Sequence, residues 1–233
     1  MNQKKKTKSE KEIPALLLAG GRPRDPAVMA RIMSSVFREI QKPEAAYIGT
    51  ANGDDPGFFK MLKSLLMEAG AEKVVFVHLA KENADVDAAR KSLASSNVIF
   101  LAGGEVEEGM MWLEKHGLCA FLKDLYRAGK CFMGISAGVI MMGTQWVRWS
   151  NPDDDATAEL FDCLGIVPVL FDVHGEEEDW AELKAALELM GGGARGYGLP
   201  SGCIINADSQ GVLVNLEKKH LVFVNEGGRI RVP

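Results

Sequence analysis

An α/β fold is predicted for this 233-residue chain: a three-layer, doubly wound, mostly parallel sheet with helices on both faces and a C-terminal β-hairpin edge. Two observations predict it. Short apolar runs alternate with helix-period segments from Ile13 onward, and glycine-containing turns recur where the runs end. The runs cover residues 13–19, 45–48, 73–79, 97–102 and 130–133. Each is too short for a helix and fits a strand buried on both faces. Between them, Phe58, Leu62, Leu65 and Leu66 recur at helical spacing, and Leu118, Phe121, Leu122 and Leu125 repeat the stripe of a helix lying on a sheet. These residues are read as core. Residues 169–173 form another strand-like run, and Trp180, Leu183 and Leu187 mark a further helix. Residues 212–216 and 220–224 flank Glu217-Lys218-Lys219 and are expected to pair as the closing hairpin.

Composition excludes several classes of function. A net charge of −5 argues against a protein that neutralises phosphate backbones, so no nucleic-acid partner is expected. The apolar stretch 13–19 is too short for a membrane span or an export signal, so no membrane partner is expected either. Four cysteines fall in no CxxC pair, so neither zinc nor a redox motif is suggested and reduced thiols in cytoplasm are expected. Residues 1–12, rich in lysine, read as a disordered leader, and residues 13–233 as a single α/β domain. No cofactor is expected, and the chain is expected to act as a monomer or homodimer.

In an open parallel sheet, ligands bind beyond the carboxyl ends of the strands. The ends here carry Gly20-Gly21, Thr50, His78, Gly103-Gly104 and Gly134-Ile135-Ser136-Ala137-Gly138. The last fits G-x-S-x-G, the nucleophile elbow, and it stands between an apolar run and the helical-looking Val139-Ile140-Met141-Met142, as that geometry requires. Glycines on either side relieve crowding so that the Ser136 hydroxyl can project from the sheet. The Ala137 N–H at the following helix start is a natural oxyanion donor, and Gly103 or Gly104 can supply a second.

A serine nucleophile needs a base. Of His78, His116, His174 and His220, His174 is favoured because it follows a strand-like run and lies downstream of the elbow. His116 and His220 read as surface residues. The acid that orients the imidazole is sought among Asp153, Asp154, Asp155, Glu159 and Asp162, with Asp153 ranked first. Asp172 shares a strand face with His174 at i, i+2 and stays a candidate. A plainer reading makes 153–155 a capping turn ahead of a helix over 156–161.

Taken with Phe100-Leu101-Ala102-Gly103-Gly104, the 161–168 segment leading to His174, and Gly198-Leu199-Pro200-Ser201-Gly202, the elbow resembles the dipeptidase E and cyanophycinase group of serine peptidases. The resemblance implies a class I glutamine amidotransferase-like fold. It also implies a small-peptide substrate, N-terminal aspartyl dipeptides among them. The family's nucleophile maps onto Ser136, its base onto His174, its oxyanion amides onto Gly104 and Ala137, and its acid near 151–153, where Asp153 is the closest carboxylate. Gly103 and Glu105 are candidate substrate-binding positions.

Two departures bear on specificity. Glu105 follows the glycine pair where members commonly carry Asn or Asp, and Glu176-Glu177-Glu178-Asp179 follow the base. Carboxylates there repel an anionic side chain unless they point outward. Arg22, Arg24, Arg148 or Arg195 could clamp a carboxylate. The competing readings are an α/β-hydrolase-type esterase and a degenerate relative that binds a ligand or partner without turnover.

Overall fold

The computed structural model describes residues 15–18 and 25–232. The leader 1–12, Gly20-Gly21, Arg22 and Arg24 lie outside them. The first half alternates strand and helix: β1 (Ala15–Leu18), α1 (Pro26–Phe37), β2 (Glu44–Ile48), α2 (Pro56–Glu68), β3 (Lys73–Val77), α3 (Val86–Ser95) and β4 (Val98–Leu101). Then come α4 (Val106–Lys115), α5 (Cys119–Arg127), β5 (Cys131–Ile135) and the short α6 (Ala137–Met142). The rest is strand-rich: β6 (Gln145–Trp149), β7 (Ala158–Asp162), β8 (Leu170–Val173), α7 (Ala181–Met190), β9 (Arg195–Leu199), β10 (Ile204–Ala207), β11 (Leu213–Glu217), β12 (Leu221–Asn225) and β13 (Ile230–Arg231).

Local chemistry starts the helices where it should. Asp25, Asp55 and Asp85 accept the amides of Ala27, Phe58 and Ala88 at 2.9, 2.7 and 2.9 Å, capping α1, α2 and α3. Each such cap stabilises a helix by about 1 kcal/mol.

Strands β1, β5, β4, β2 and β3 pair in parallel, in that order. Alternation splits β4 between two cores. Val98 and Phe100 pack with Met33, Leu62 and Leu66 from α1 and α2, whereas Ile99 and Leu101 pack with Leu93, Leu113 and Leu122 from α3, α4 and α5. That is the expected three-layer arrangement. Phe58 departs from the expected core, being 46% exposed, because Phe59 is the α2 aromatic that stacks on Phe76 and meets Tyr47 edge-on.

A hairpin does close the edge, but with different partners. β10 runs antiparallel to β1, and β11 antiparallel to β10. β12 instead joins a second sheet, ordered β13-β12-β9-β8. The expected pairing of 212–216 with 220–224 fails for a local reason. Lys218 takes a left-handed φ of 52°, and the Asn215 side chain accepts the His220 amide, while β12 pairs with β9. The helix expected over 156–161 is likewise a single 3-10 turn capped by Asp154, followed by β7, which pairs with β6.

Between the two sheets lies α6, all six of its residues buried. It shares one core with Phe171, Val173, Trp180 and Leu183 from β8 and α7. No helix among the described residues is long and apolar enough to cross a membrane.

Candidate active site

Ser136 sits between β5 and α6 with φ 53° and ψ −126°, a conformation that costs an L residue energy and persists only where packing enforces it. The enforcement comes from close backbone contact. A Cβ on Gly138 would fall 2.2 Å from the Leu101 carbonyl oxygen, so α6 lies directly on the end of β4. Ser136 Oγ lies 2.9 Å from His174 Nε2. With Nδ1 protonated, the hydroxyl donates to Nε2, the arrangement a general base requires.

His174 follows β8 and also has a left-handed φ, 45°. Its amide donates to the Leu199 carbonyl at 2.9 Å, tying the turn to β9. The other histidines are engaged elsewhere. His78 is exposed and stacks on Phe76, His116 Nε2 lies 2.9 Å from the Leu79 carbonyl, and His220 Nδ1 meets Asn215 at 2.7 Å.

Gly103 and Gly104 close the opposite side of the hydroxyl. A Cβ on Gly103 would stand 2.9 Å from that of Ser136, and one on Gly104, whose φ is 142°, would fall 1.8 Å from the Ala51 carbonyl oxygen. Only glycine tolerates that position. Asn52 Nδ2 donates to the Gly103 carbonyl at 2.9 Å. Oxygen and N–H point opposite ways across one trans peptide, so this bond turns the Gly104 N–H away from Asn52. Gly104 and Ala137 both line the cleft beside Ser136. As the first residue of α6, Ala137 carries an N–H with no partner within the helix. Asn52 escaped the sequence reading, because its role depends on a carbonyl 51 residues away that no local pattern announces.

Among the described residues, no carboxylate hydrogen-bonds to His174. Asp153 is exposed in a turn, its amide donating to Asn151 Oδ1 at 3.2 Å, and the structure does not bring it to the imidazole. Asp154 caps the 3-10 turn, Glu159 pairs with Arg148, and Asp162 accepts from Gln145. Asp155 lines the cleft. Asp172 on β8, two residues before His174, borders the same cleft although it is buried. It is 4% exposed and accepts the Val173 amide at 2.7 Å. Burial pushes its carboxyl up to about 7; the Val173 and Leu183 amides oppose this, while Glu182 and Glu176 add to it.

Glu182, in the first turn of α7, is the carboxylate that feels His174. Desolvation raises its pKa first, then repulsion from Glu105 and Glu178, and the imidazole's charge counters them. Nothing local marks Glu182 in the sequence, where it is one polar position of the helix marked by Trp180, Leu183 and Leu187.

These residues border an open cleft of about 550 Å³. Ile140, Trp146 and Trp149 supply apolar wall, while Glu105, Glu107, Asp155, Asp172 and Glu182 supply carboxylates. Of the four arginines considered, Arg148 lines the cleft, and Arg195 is exposed at the start of β9. Arg148 already donates from Nε to Glu159 at 2.8 Å and from Nη1 to Glu107 at 3.1 Å. A second hollow of about 450 Å³ flanks His174 with Glu176, Glu177, Glu178 and Ser201. Among the described residues, no group of three or more His, Cys, Asp or Glu side chains is placed to hold a metal ion.

Two solved structures share this architecture. A protein from Listeria monocytogenes EGD-e, provisionally designated peptidase E, superposes with a TM-score of 0.66 at 16% identity, covering 90% of this chain and 100% of its own. A peptidase from an acI-B1 Actinobacterium gives 0.63 at 13% identity, covering 95% and 94%. At such identities the likeness speaks for the fold. No curated protein matches the sequence. The model of peptidase family S51, however, matches residues 15–214, a span that takes in Ser136, His174 and the five parallel strands. On that match the chain belongs to peptidase family S51 and is a peptidase of the serine type.

Proposed function

We propose that the protein hydrolyses small peptides through an acyl-enzyme on Ser136. The observation that carries this reading is the 2.9 Å approach of Ser136 Oγ to His174 Nε2 across the cleft. In this reaction Oγ attacks the scissile carbonyl carbon as its proton passes to Nε2. The N–H groups of Gly104 and Ala137 hold the developing oxyanion, each such donor contributing about 3 kcal/mol to transition-state stabilisation. Collapse of the tetrahedral species breaks the C–N bond, and His174 returns its proton to the departing amine. Water then repeats the sequence on the ester and frees Ser136.

Asp153 has no contact with the imidazole here, so the reading assigns stabilisation of the His174 cation to the field of Glu182. Four free thiols, three of them buried, suit a reducing cytoplasm. Residues 13–233 are treated as one domain.

Labelling with a fluorophosphonate probe tests the nucleophile. An adduct on Ser136 is expected, abolished by Ser136→Ala and reduced about a thousandfold in rate or more by His174→Ala. Cleavage of a dipeptide panel then separates a peptidase from an esterase. A protein that takes no label and cleaves no dipeptide is a binding protein, and the proposal fails.

A further inference from the structure

Resting on the peptidase reading above, we infer that the cleft selects short peptides whose acyl-side residue carries a cationic side chain, lysine or arginine. The Ser136–His174 pair locates the reacting bond, and the groups around it set what can lie beside that bond. Glu105 and Glu182 line the same cleft as the nucleophile. Among the described residues, neither carboxylate has an ion pair or a hydrogen bond.

The cation that could offset them is already engaged. Arg148 is held by Glu107 and Glu159 together, which fixes its guanidinium at the rim and cancels its charge locally. On the other flank of His174, Glu176, Glu177 and Glu178 border the second hollow. A carboxylate on the substrate therefore meets negative charge on both sides of the imidazole. An ammonium or guanidinium relieves the repulsion between Glu182 and Glu105. Among the described residues, no three acidic or other ligating side chains converge as a metal chelate would require.

Shape supports the same class. Ile140, Trp146 and Trp149 give the cleft an apolar wall. Long basic side chains match that combination, laying an aliphatic stem along apolar surface while the charged head reaches carboxylates. Trp149 also offers an indole face for cation–π contact.

The test compares hydrolysis of Lys-Leu, Leu-Leu and Asp-Leu by the full chain, alongside fluorophosphonate labelling. The order Lys-Leu, Leu-Leu, Asp-Leu in kcat/KM is expected, with about tenfold or more between the first and last. Raising salt from about 0.05 M to about 0.5 M narrows that gap, because screening shortens the reach of the field. The double substitution Glu105→Gln with Glu182→Gln moves the Lys-to-Asp ratio toward one. Asp-Leu cleaved as fast as Lys-Leu, or a ratio untouched by the double substitution, overturns the inference while Ser136 still labels. No label and no cleavage of any dipeptide overturns the peptidase reading and this inference with it.

Discussion

Ser136 and His174 each follow a strand in a left-handed conformation, φ 53° and 45°, yet the two walls they stand on are made differently. The serine wall is backbone against backbone: Gly138 lies on the Leu101 carbonyl, and Gly104 lies on that of Ala51. The histidine wall is side chain and charge. His174 is exposed, four acidic residues follow its Gly175, and what lies against that glycine is the Asp172 carboxylate and the Trp180 ring. Rigidity in the first wall holds the proposed nucleophile in a strained conformation. The second wall surrounds the proposed base with charge, and it is expected to yield to small changes that the first does not.

A single methyl group separates the two. Gly138→Ala drives a Cβ into backbone atoms at 2.2 and 2.7 Å and is expected to cost about 3 kcal/mol in denaturant unfolding. Gly175→Ala meets the Asp172 carboxylate and the Trp180 ring at 3.1 Å, and should cost only about 1 kcal/mol. Equal losses would erase the distinction.

Charge in the second wall is read by pH. The Asp172 carboxyl rises from 3.8 to about 7 on folding, so its ionisation opposes the folded state. Below pH 4 it is neutral in both states; between pH 4 and 7 the penalty grows, and above 7 it levels off. Asp172→Asn is therefore expected to gain stability over the parent across that window, by up to about 4 kcal/mol at the plateau. A difference that does not vary with pH would mean that the carboxylate is not paying for its burial.

Smallest is the effect of Asn52→Ala, which releases the Gly103 carbonyl behind the first wall. A drop of about tenfold in kcat on a dipeptide is expected with KM nearly unchanged, and about 1 kcal/mol of stability is lost with the hydrogen bond. A rise in KM with kcat intact would make Asn52 a binding residue instead.

The serine wall was legible from sequence because its information is local. An apolar run, two glycines around a serine and a second glycine pair state both the strand ends and the space they need. His174 was legible for the same reason, as a histidine closing a strand-like run. The histidine wall beyond it was not. Glu182 acts through space on a residue eight positions earlier, and the burial of Asp172 comes from elements packed over β8 that the strand's own sequence does not announce. Asn52 depends on a partner at the end of the neighbouring strand β4, 51 residues on in the chain. The edge was misread at one point: 212–216 and 220–224 look like a hairpin by spacing, but Lys218 and the Asn215 side chain send the second strand to another sheet.

The hydroxyl belongs to one slab of strands and the imidazole to another, with α6 as the spacer that seats them. Their separation is therefore a gauge of how squarely the slabs are stacked. A slip of about 1 Å takes the pair out of hydrogen-bond reach. Pressure, heat or a wedge lodged far from the cleft can thus silence the enzyme while leaving both reacting groups chemically intact.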